Sequence, residues 1–485
     1  MNHPARILIS AAHKSSGKTT ISIGLCKALR DRGIAVQPFK KGPDYIDPMW
    51  LSAAAGMTCR NLDFQVMERT GITGYFERHA SGADFALIEG NMGLYDGLDL
   101  DGSNSNAALA ALLAAPVMLV VDARGMTRGI APLILGFQAF DRNIDIAGVI
   151  LNHLGGARHE AKLRAVIEHY TDVPVVGAVH HDARIEIVER HLGLKPSNES
   201  TETTARIAEI GAAIARQVDL GRVLEISGWR PPVRRSLSGS KSAAGVQPEQ
   251  VADVRIGWAR DRAFGFYYPD DLEALQQAGA QLVPVDTLHD ASLPALDGLF
   301  IGGGFPERLM GELEANAALR ADIRRAVENG FPVYAECGGL MYLARSISWN
   351  GVTRQMVGAI PADVVMHDKP AGRGYVRLRE TEHHPWPQSA AGSGRHELPA
   401  HEFHYSTLEN IGAGVDFGYD VLRGHGIDGR RDGIVCHNVF ASYAHLRSVG
   451  ANNWAQRFVA FVRNVKSSAR RTEAAVVKRE REAIC

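Results

Sequence analysis

Short apolar runs that end in polar residues recur along the first half of the chain. Residues 6–10, 34–39, 86–89, 116–122 and 146–152 each read as a buried strand. Between and after them, residues 21–30, 157–170 and 203–217 carry apolar positions at helical spacing. Buried strands alternating with amphipathic helices predict an α/β fold, with a parallel sheet covered on both faces. Ligands of such sheets bind at the carboxyl ends of the strands, where these polar ends lie. The longest apolar stretch, 107–121, is divided by Pro116 into a buried helix and a strand. It is too short to span a membrane.

Periodicity disappears over residues 228–250, where Pro231-Pro232, Arg234-Arg235 and a Ser/Gly/Ala-rich run predict a flexible connection. A second alternating pattern starts at Val254, and its first helix begins near Pro269. Further strands are expected at 298–302, 332–335, 401–406 and 433–438. A helix starts at Trp454, and the charged stretch from Lys466 to Cys485 is expected to fray. The expected domains are 1–222, a linker 223–252, a second domain 253–450, and a C-terminal helix and tail 451–485.

Charge narrows the partners. Lys and Arg number 53 against 54 Asp and Glu, a net charge of −1, so no overall basic field suits the chain to nucleic acid or an anionic membrane. Five cysteines (Cys26, Cys59, Cys337, Cys436, Cys485) are odd in number and contain no CxxC pair. That argues against a disulfide framework and for a reduced, cytoplasmic setting. The first residues lack the basic-then-apolar pattern of a signal peptide. Small-molecule partners are expected, with a homodimer as one possible assembly that the sequence does not fix.

Two runs carry chemistry. The first, Ala12-His-Lys-Ser-Ser-Gly17-Lys18-Thr19, fits a phosphate-binding loop except that Ala12 replaces the first glycine. Strand, loop and helix follow in the required order, so backbone N–H groups around Gly17 and the helix start at Thr19 and Thr20 face the phosphates of ATP. Lys18 neutralises β/γ charge and the Thr19 hydroxyl reaches Mg²⁺. Further hard oxygen ligands are expected from Asp44 and Glu89 at strand ends, with Asp47 behind them as a ligand or a turn cap. Asn152 ends another strand and is expected near the nucleotide. Lys40, Lys41, Tyr45 and Tyr95 are candidates for a large polyanionic substrate.

The second run is Phe331-Pro-Val-Tyr-Ala-Glu-Cys-Gly-Gly-Leu-Met-Tyr-Leu343. An apolar strand, a cysteine, two glycines and a helix start describe an elbow that exposes Cys337 at a helix N-terminus, where the macrodipole favours the thiolate. A cysteine nucleophile needs a base and oxyanion donors. His445, just past an apolar strand, is the expected base; backbone N–H groups of Gly338 and Gly303 are the expected donors. Glu336 reads as an orienting or structural residue. His401 and His404, three apart on a strand, face opposite ways and do not suggest a metal pair.

Taken together, these segments resemble the cobyrinic acid a,c-diamide synthase family over nearly the whole length. The matching runs are 15–20 (Ser-Ser-Gly-Lys-Thr-Thr), 41–48, 90–97, 122–126, 263–269, 302–307, 336–341 (Glu-Cys-Gly-Gly-Leu-Met), 401–406 and 441–445 (Ala-Ser-Tyr-Ala-His). The resemblance implies an N-terminal P-loop parallel sheet similar to dethiobiotin synthetase and a C-terminal class I glutamine amidotransferase-like α/β domain. It implies ATP, Mg²⁺ and glutamine as reactants and amidation of the a and c acetates of a tetrapyrrole such as cobyrinate or hydrogenobyrinate. It assigns Cys337 as glutaminase nucleophile and His445 as its activator. Many related amidotransferases carry a glutamate two residues after this histidine; here Arg447 stands there, and the resemblance names no third member.

Residues 61–64 and 97–106 look like a sub-branch that amidates sirohaem, which would change the tetrapyrrole and not the chemistry. A P-loop ATPase switch is the rival of another class; it predicts ATP-driven dimerisation and gives Glu336-Cys337-Gly338-Gly339 no purpose. A bare thiol hydrolase leaves Lys18 and Thr19 idle.

Overall fold

The alternating pattern of the first half becomes a seven-stranded parallel sheet in the computed structural model, which describes residues 4–185, 187, 189–190, 193–194, 196–199, 203–230, 252–387 and 397–484. The chain divides into two units, Met1–Ser242 and Ala243–Cys485. In the first, the elements run β1 (Ala5–Ala11), α1 (Lys18–Asp31), β2 (Val36–Lys41), α2 (Ile46–Ala55), β3 (Arg60–Leu62), α3 (Arg69–Ala80), β4 (Phe85–Glu89), α4 (Asn106–Leu112), β5 (Val117–Asp122), α5 (Ile130–Phe140), β6 (Ile146–Leu154), α6 (Ala157–Tyr170) and β7 (Val175–His180). A two-residue hairpin pair, β8 (Glu189–Arg190) and β9 (Gly193–Leu194), precedes α7 (Thr203–Gln217) and α8 (Leu220–Ile226).

Strand order is β3-β2-β4-β1-β5-β6-β7. β1 lies centrally because Ile7, Leu8 and Ile9 are fully buried. Each such side chain contributes about 1.5–3 kcal/mol of burial. The carboxyl ends of β1, β2 and β4 therefore share one edge, which brings residues 12–19, Lys40 and Glu89 together.

The second unit comprises β10 (Val254–Ala259), β11 (Phe264–Phe266), α9 (Pro269–Gln277), β12 (Ala280–Val285), β13 (Gly298–Ile301), β14 (Gly303–Gly304), α10 (Met310–Ala315), α11 (Ala317–Glu328), β15 (Val333–Glu336) and α12 (Gly338–Leu343). Then follow β16 (Ser346–Trp349), β17 (Val352–Gln355), β18 (Asp363–Met366), β19 (Gly372–Glu380), β20 (Glu397–His404), β21 (Ser406–Glu409), β22 (Asp416–Arg423), β23 (Arg431–Cys436), β24 (Val439–Ser442) and α13 (Trp454–Ile484). Its nine-stranded sheet has the order β12-β10-β13-β15-β24-β23-β22-β19-β20. The first five strands are parallel and the last four antiparallel.

Three expectations change. The linker expected over 223–252 begins later: residues 220–226 form α8, Val223 and Leu224 are buried, and the Arg6 N–H donates to Ser227 O. Residues 231–251 of that linker lie outside the described residues. The C-terminal helix is not a separate appendage, because Trp454, Phe458 and Val462 are buried in one core with Phe300 and Tyr334. The backbone from Lys466 stays helical to Ile484 instead of fraying there. Its Ala, Arg, Glu and Lys content favours that state.

Candidate active site

The phosphate loop forms because β1 ends at Ala11 and α1 begins at Lys18, leaving six residues to turn. Gly17 sits at φ 86°, a conformation that a side chain resists. The amide of Asn152 donates to Ser16 O at 3.0 Å, and a Cβ on residue 17 would lie 2.1 Å from that amide nitrogen. Asn152 thus clamps the loop. Lys18 is buried, with Nζ 3.5 Å from His13 O. Burial, helped by the Lys40 charge and opposed by Glu89, Asp47 and Asp96, pushes its ammonium down to about 8. An anion placed against it would restore the charge. Thr20 lies half-buried in the first turn of α1.

Beside the loop sits a cluster of carboxylates. The Thr19 hydroxyl donates to Glu89 Oε1 at 2.7 Å and approaches Asp47 Oδ2 at 3.3 Å. Lys40 Nζ donates to Asp47 Oδ2 at 2.5 Å and Glu89 Oε1 at 2.8 Å, and lies 3.7 Å from Asp44 Oδ2. Burial opposes the Lys40 charge, yet Asp47, Glu89 and Asp44 outweigh it and hold the ammonium well above the usual lysine range. Lys40 is the cation in contact with all three carboxylates, and the buried Glu89 Oε2 has no hydrogen-bond partner among the described residues.

Among the described residues no three carboxylate, histidine or cysteine groups converge into an all-protein metal cage. Mg²⁺ ordinarily takes one or two carboxylates, a hydroxyl and phosphate oxygens, so Thr19, Asp47 and Glu89 fit it. Asp44, expected as a leading ligand, has Oδ1 occupied by the N–H groups of Ile46 and Asp47 at 2.9 and 3.1 Å. It caps the start of α2, and Asp47 takes the inner place.

The four residues expected to face a polyanionic substrate are mostly engaged elsewhere. Lys40 is buried in the cluster just described. Lys41 is buried with Nζ 3.1 Å from Asn91 Oδ1. Burial, opposed by Asp63 and helped by Lys40, lowers its ammonium to about 8. Tyr45 is buried at the start of α2. Tyr95 donates its hydroxyl to Phe137 O at 2.6 Å and lays its ring against Phe137 and Phe140.

In the second unit, β15 delivers Glu336 and Cys337, and α12 begins at the next residue, Gly338. Cys337 adopts φ 48°, ψ −102°, a strained turn costing about 1–3 kcal/mol. It persists because the Cys337 N–H donates to Ser442 O at 2.7 Å and because glycines follow. A Cβ at 339 would sit 2.1 Å from Ile301 O, and one at 338 would sit 2.9 Å from the amide nitrogen of Gly304. The 338 and 304 backbones therefore meet beside the thiol. A Cβ at Gly303 would reach 2.7 Å from His445 Cε1.

His445 is buried and forms a hydrogen bond with Cys337. Its Nδ1 lies 3.2 Å from Glu336 Oε2. Burial opposes protonation, but the bonds to Cys337 and Glu336 and their charges push the imidazole up to about 10. Its backbone pairs in both directions with His401 (N–H to O, 2.8 and 3.3 Å), and the two rings stack at 4.9 Å and 15°. Burial, then the charges of His445 and Arg447, hold His401 well below the usual histidine range. Asp432 accepts from the N–H groups of Tyr443 and Ala444, both at 3.0 Å, and so fixes the segment leading to His445.

Arg447 fills the position where a glutamate is common. Its guanidinium donates twice to Asp270 Oδ2, at 2.9 and 2.6 Å, and lies over the Tyr268 ring. Both partners are buried. Arg447→Met is expected to remove the charge that is paired with buried Asp270 and to cost about 3–5 kcal/mol, read as a lowered midpoint in denaturant. A midpoint within error of the parent would show that the pair is dispensable.

Sequence reasoning missed the Glu336–His445 bond, the His401 stack and the inner place of Asp47. Strand alternation carried one signal: Tyr334 and Glu336 share a face of β15, and the Tyr334 hydroxyl does donate to Glu336 Oε1 at 2.5 Å.

Residues 7–194 match the CobQ/CobB/MinD/ParA nucleotide binding domain, and residues 255–452 match the CobB/CobQ-like glutamine amidotransferase domain. The cobyrinate a,c-diamide synthase of Magnetococcus marinus is 47% identical over 463 residues, 94% of this chain and 97% of that protein. The enzyme of the same name from Methanosarcina acetivorans is 41% identical over 92% of each chain. That from Archaeoglobus fulgidus is 39% identical over 94% of this chain and 96% of its own. A nucleotide-binding unit and a glutamine amidotransferase unit, matched together over more than nine-tenths of such relatives, make this chain a ligase of the cobyrinate a,c-diamide synthase family.

Proposed function

We propose that this chain amidates the a and c acetate carboxylates of cobyrinate or a close corrinoid, using ATP and glutamine, in cobalamin biosynthesis. The observation that carries the reading is the pairing of Lys18 with the Thr19–Asp47–Glu89 cluster in one unit and of Cys337 with His445 in the other. In the first unit a substrate carboxylate oxygen attacks the γ-phosphorus, the bond to the β-phosphate oxygen breaks, and ADP leaves an acyl phosphate. Lys18 stabilises the charge that builds on the transferring group. Mg²⁺ would be held by Thr19, Asp47 and Glu89 and would supply further positive charge at the phosphates.

In the second unit the Cys337 sulfur bonds to the glutamine carboxamide carbon. Backbone N–H groups at Gly338 and the 303–304 segment face the oxyanion, and His445 gives its proton to the departing ammonia. Water then hydrolyses the thioester to glutamate. Ammonia displaces phosphate from the acyl phosphate and yields the amide. A carboxylate is too poor an electrophile for ammonia without this activation.

Side-by-side turnover of cobyrinic acid, hydrogenobyrinic acid and sirohaem, read by mass, tests the substrate. Two successive one-dalton losses per corrinoid, one for each OH replaced by NH₂, are expected, with slower or no conversion of sirohaem. Preferred conversion of sirohaem would move the chain to the other tetrapyrrole.

A further inference from the structure

We propose that Glu336 is the positioning acid of the glutaminase centre: its carboxylate holds the Nδ1 side of His445, which leaves Nε2 for the Cys337 thiol. The inference rests on the reading of Cys337 as the nucleophile and adds the member which that reading leaves open. Nδ1 of His445 lies 3.2 Å from Glu336 Oε2, and both side chains are buried. The other oxygen, Oε1, accepts from the Tyr334 hydroxyl at 2.5 Å and from the Leu446 N–H at 2.9 Å. The carboxylate is therefore pinned from its own strand and from the residue after the histidine. It cannot rotate away without breaking both bonds.

Chain position explains why no acid is needed two residues beyond His445. β15 pairs in parallel with β24, Glu336 opposite Ser442, so the last residue of β15 faces the segment that carries the histidine. The acid thus comes from the residue before the nucleophile. Arg447, at the place two residues on, is taken up by Asp270. The ionisable groups around the imidazole are Cys337, Tyr334 and Glu336 from β15 and its end, His401 from β20, Arg447, and Asp270 and Asp271 at the start of α9. Among these, Glu336 is the one whose carboxylate reaches Nδ1. A carboxylate there fixes the tautomer and favours the protonated ring, as burial alone would not. The proton stays on Nδ1 throughout; Glu336 accepts a hydrogen bond and exchanges nothing.

The test uses the full chain and glutamate release from glutamine across pH in the parent, Glu336→Gln and Glu336→Asp. The glutamine variant presents an amide N–H to Nδ1 or loses the bond. It is expected to lower kcat/KM about 10²-fold or more. Its alkaline limb should move to lower pH, because the imidazolium has lost the carboxylate that raised it. The aspartate variant should restore part of the rate and of the limb. Amidation with high ammonia should be unchanged in both.

A Glu336→Gln profile with the parent's limb, or a rate within about threefold of it, would overturn the proposal. So would a rate loss with an unmoved limb that aspartate does not rescue. Should Glu336→Gln not fold, the parent labelled with ¹⁵N-histidine decides, with His445→Gln assigning the signal. A deshielded proton on Nδ1 that persists toward about pH 10 is expected. An Nδ1 without a proton at neutral pH overturns the proposal. Full glutaminase activity in Cys337→Ala would instead sink the reading beneath it, so the two failures are separable.

Discussion

Cys337→Ala is expected to abolish amidation with glutamine while amidation with a high concentration of ammonium salt continues at the parent's rate. The substitution removes the one atom that bonds to the carboxamide carbon, and His445 cannot take its place because its ring stays bonded to Glu336 and stacked on His401. Glutamate release should fall by at least about 10⁴-fold, since loss of a covalent nucleophile leaves only what binding and oxyanion donors supply. The fold should hold. Alanine keeps the backbone bond from residue 337 to Ser442 O, and the site is buried, so little is lost beyond one sulfur. Glutamate release by mass spectrometry and ammonia-dependent amide formation, measured on the same preparation, give the two readouts. Loss of both in a folded variant would contradict the division of labour between the units. Retention of both would remove Cys337 from the chemistry.

How far the chain could be read in advance depended on whether a feature is local. The strands of the first unit follow from apolar runs ending in polar residues, because each is buried on both faces and leaves a continuous hydrophobic signature. Residues 17–19 and 336–339 are equally local: a strand end, small residues and a helix start fall within eight positions. The second sheet was harder beyond β24. The runs expected at 401–406 and 433–438 cover β20 and β23 only in part, and β22 and β19 mix buried, half-buried and exposed positions with charged residues and glycines, so no single run announces them. Pairings across long separations left no mark at all. Arg447 meets Asp270 across 177 residues, and Glu336 meets His445 across 109. Asp44 and Asp47 differ by less than a turn of α2, and which of them faces Thr19 depends on how Asp44 caps that helix. Composition cannot choose between them.

The same contrast separates strain from signal at the phosphate loop, and it leads to an unusual expectation for Lys18→Met. Synthesis should be lost with either nitrogen source, by about 10³-fold, since the variant withdraws a fixed cation from the transferring phosphoryl group. Stability, however, should rise. Lys18 is held down from 10.5 to about 8, chiefly by burial. A base depressed on folding opposes folding at every pH where the unfolded chain keeps its proton. The penalty is therefore full below about 8 and fades as pH climbs toward 10.5. At neutral pH it amounts to roughly 3 kcal/mol as an upper bound. Methionine removes the charge and keeps most of the buried stem. Thermal melting of the chain without ATP should accordingly move up at pH 7 and show a smaller gain near pH 10. Adding ATP and Mg²⁺ should raise the midpoint of the parent and leave the variant nearly unmoved, because mass action stabilises only the form that binds. Lower stability together with intact synthesis would mean that the ammonium is a structural partner of His13 O and not a phosphate ligand. Lost synthesis in a more stable protein is the signature of a charge retained for its reaction at the expense of the fold.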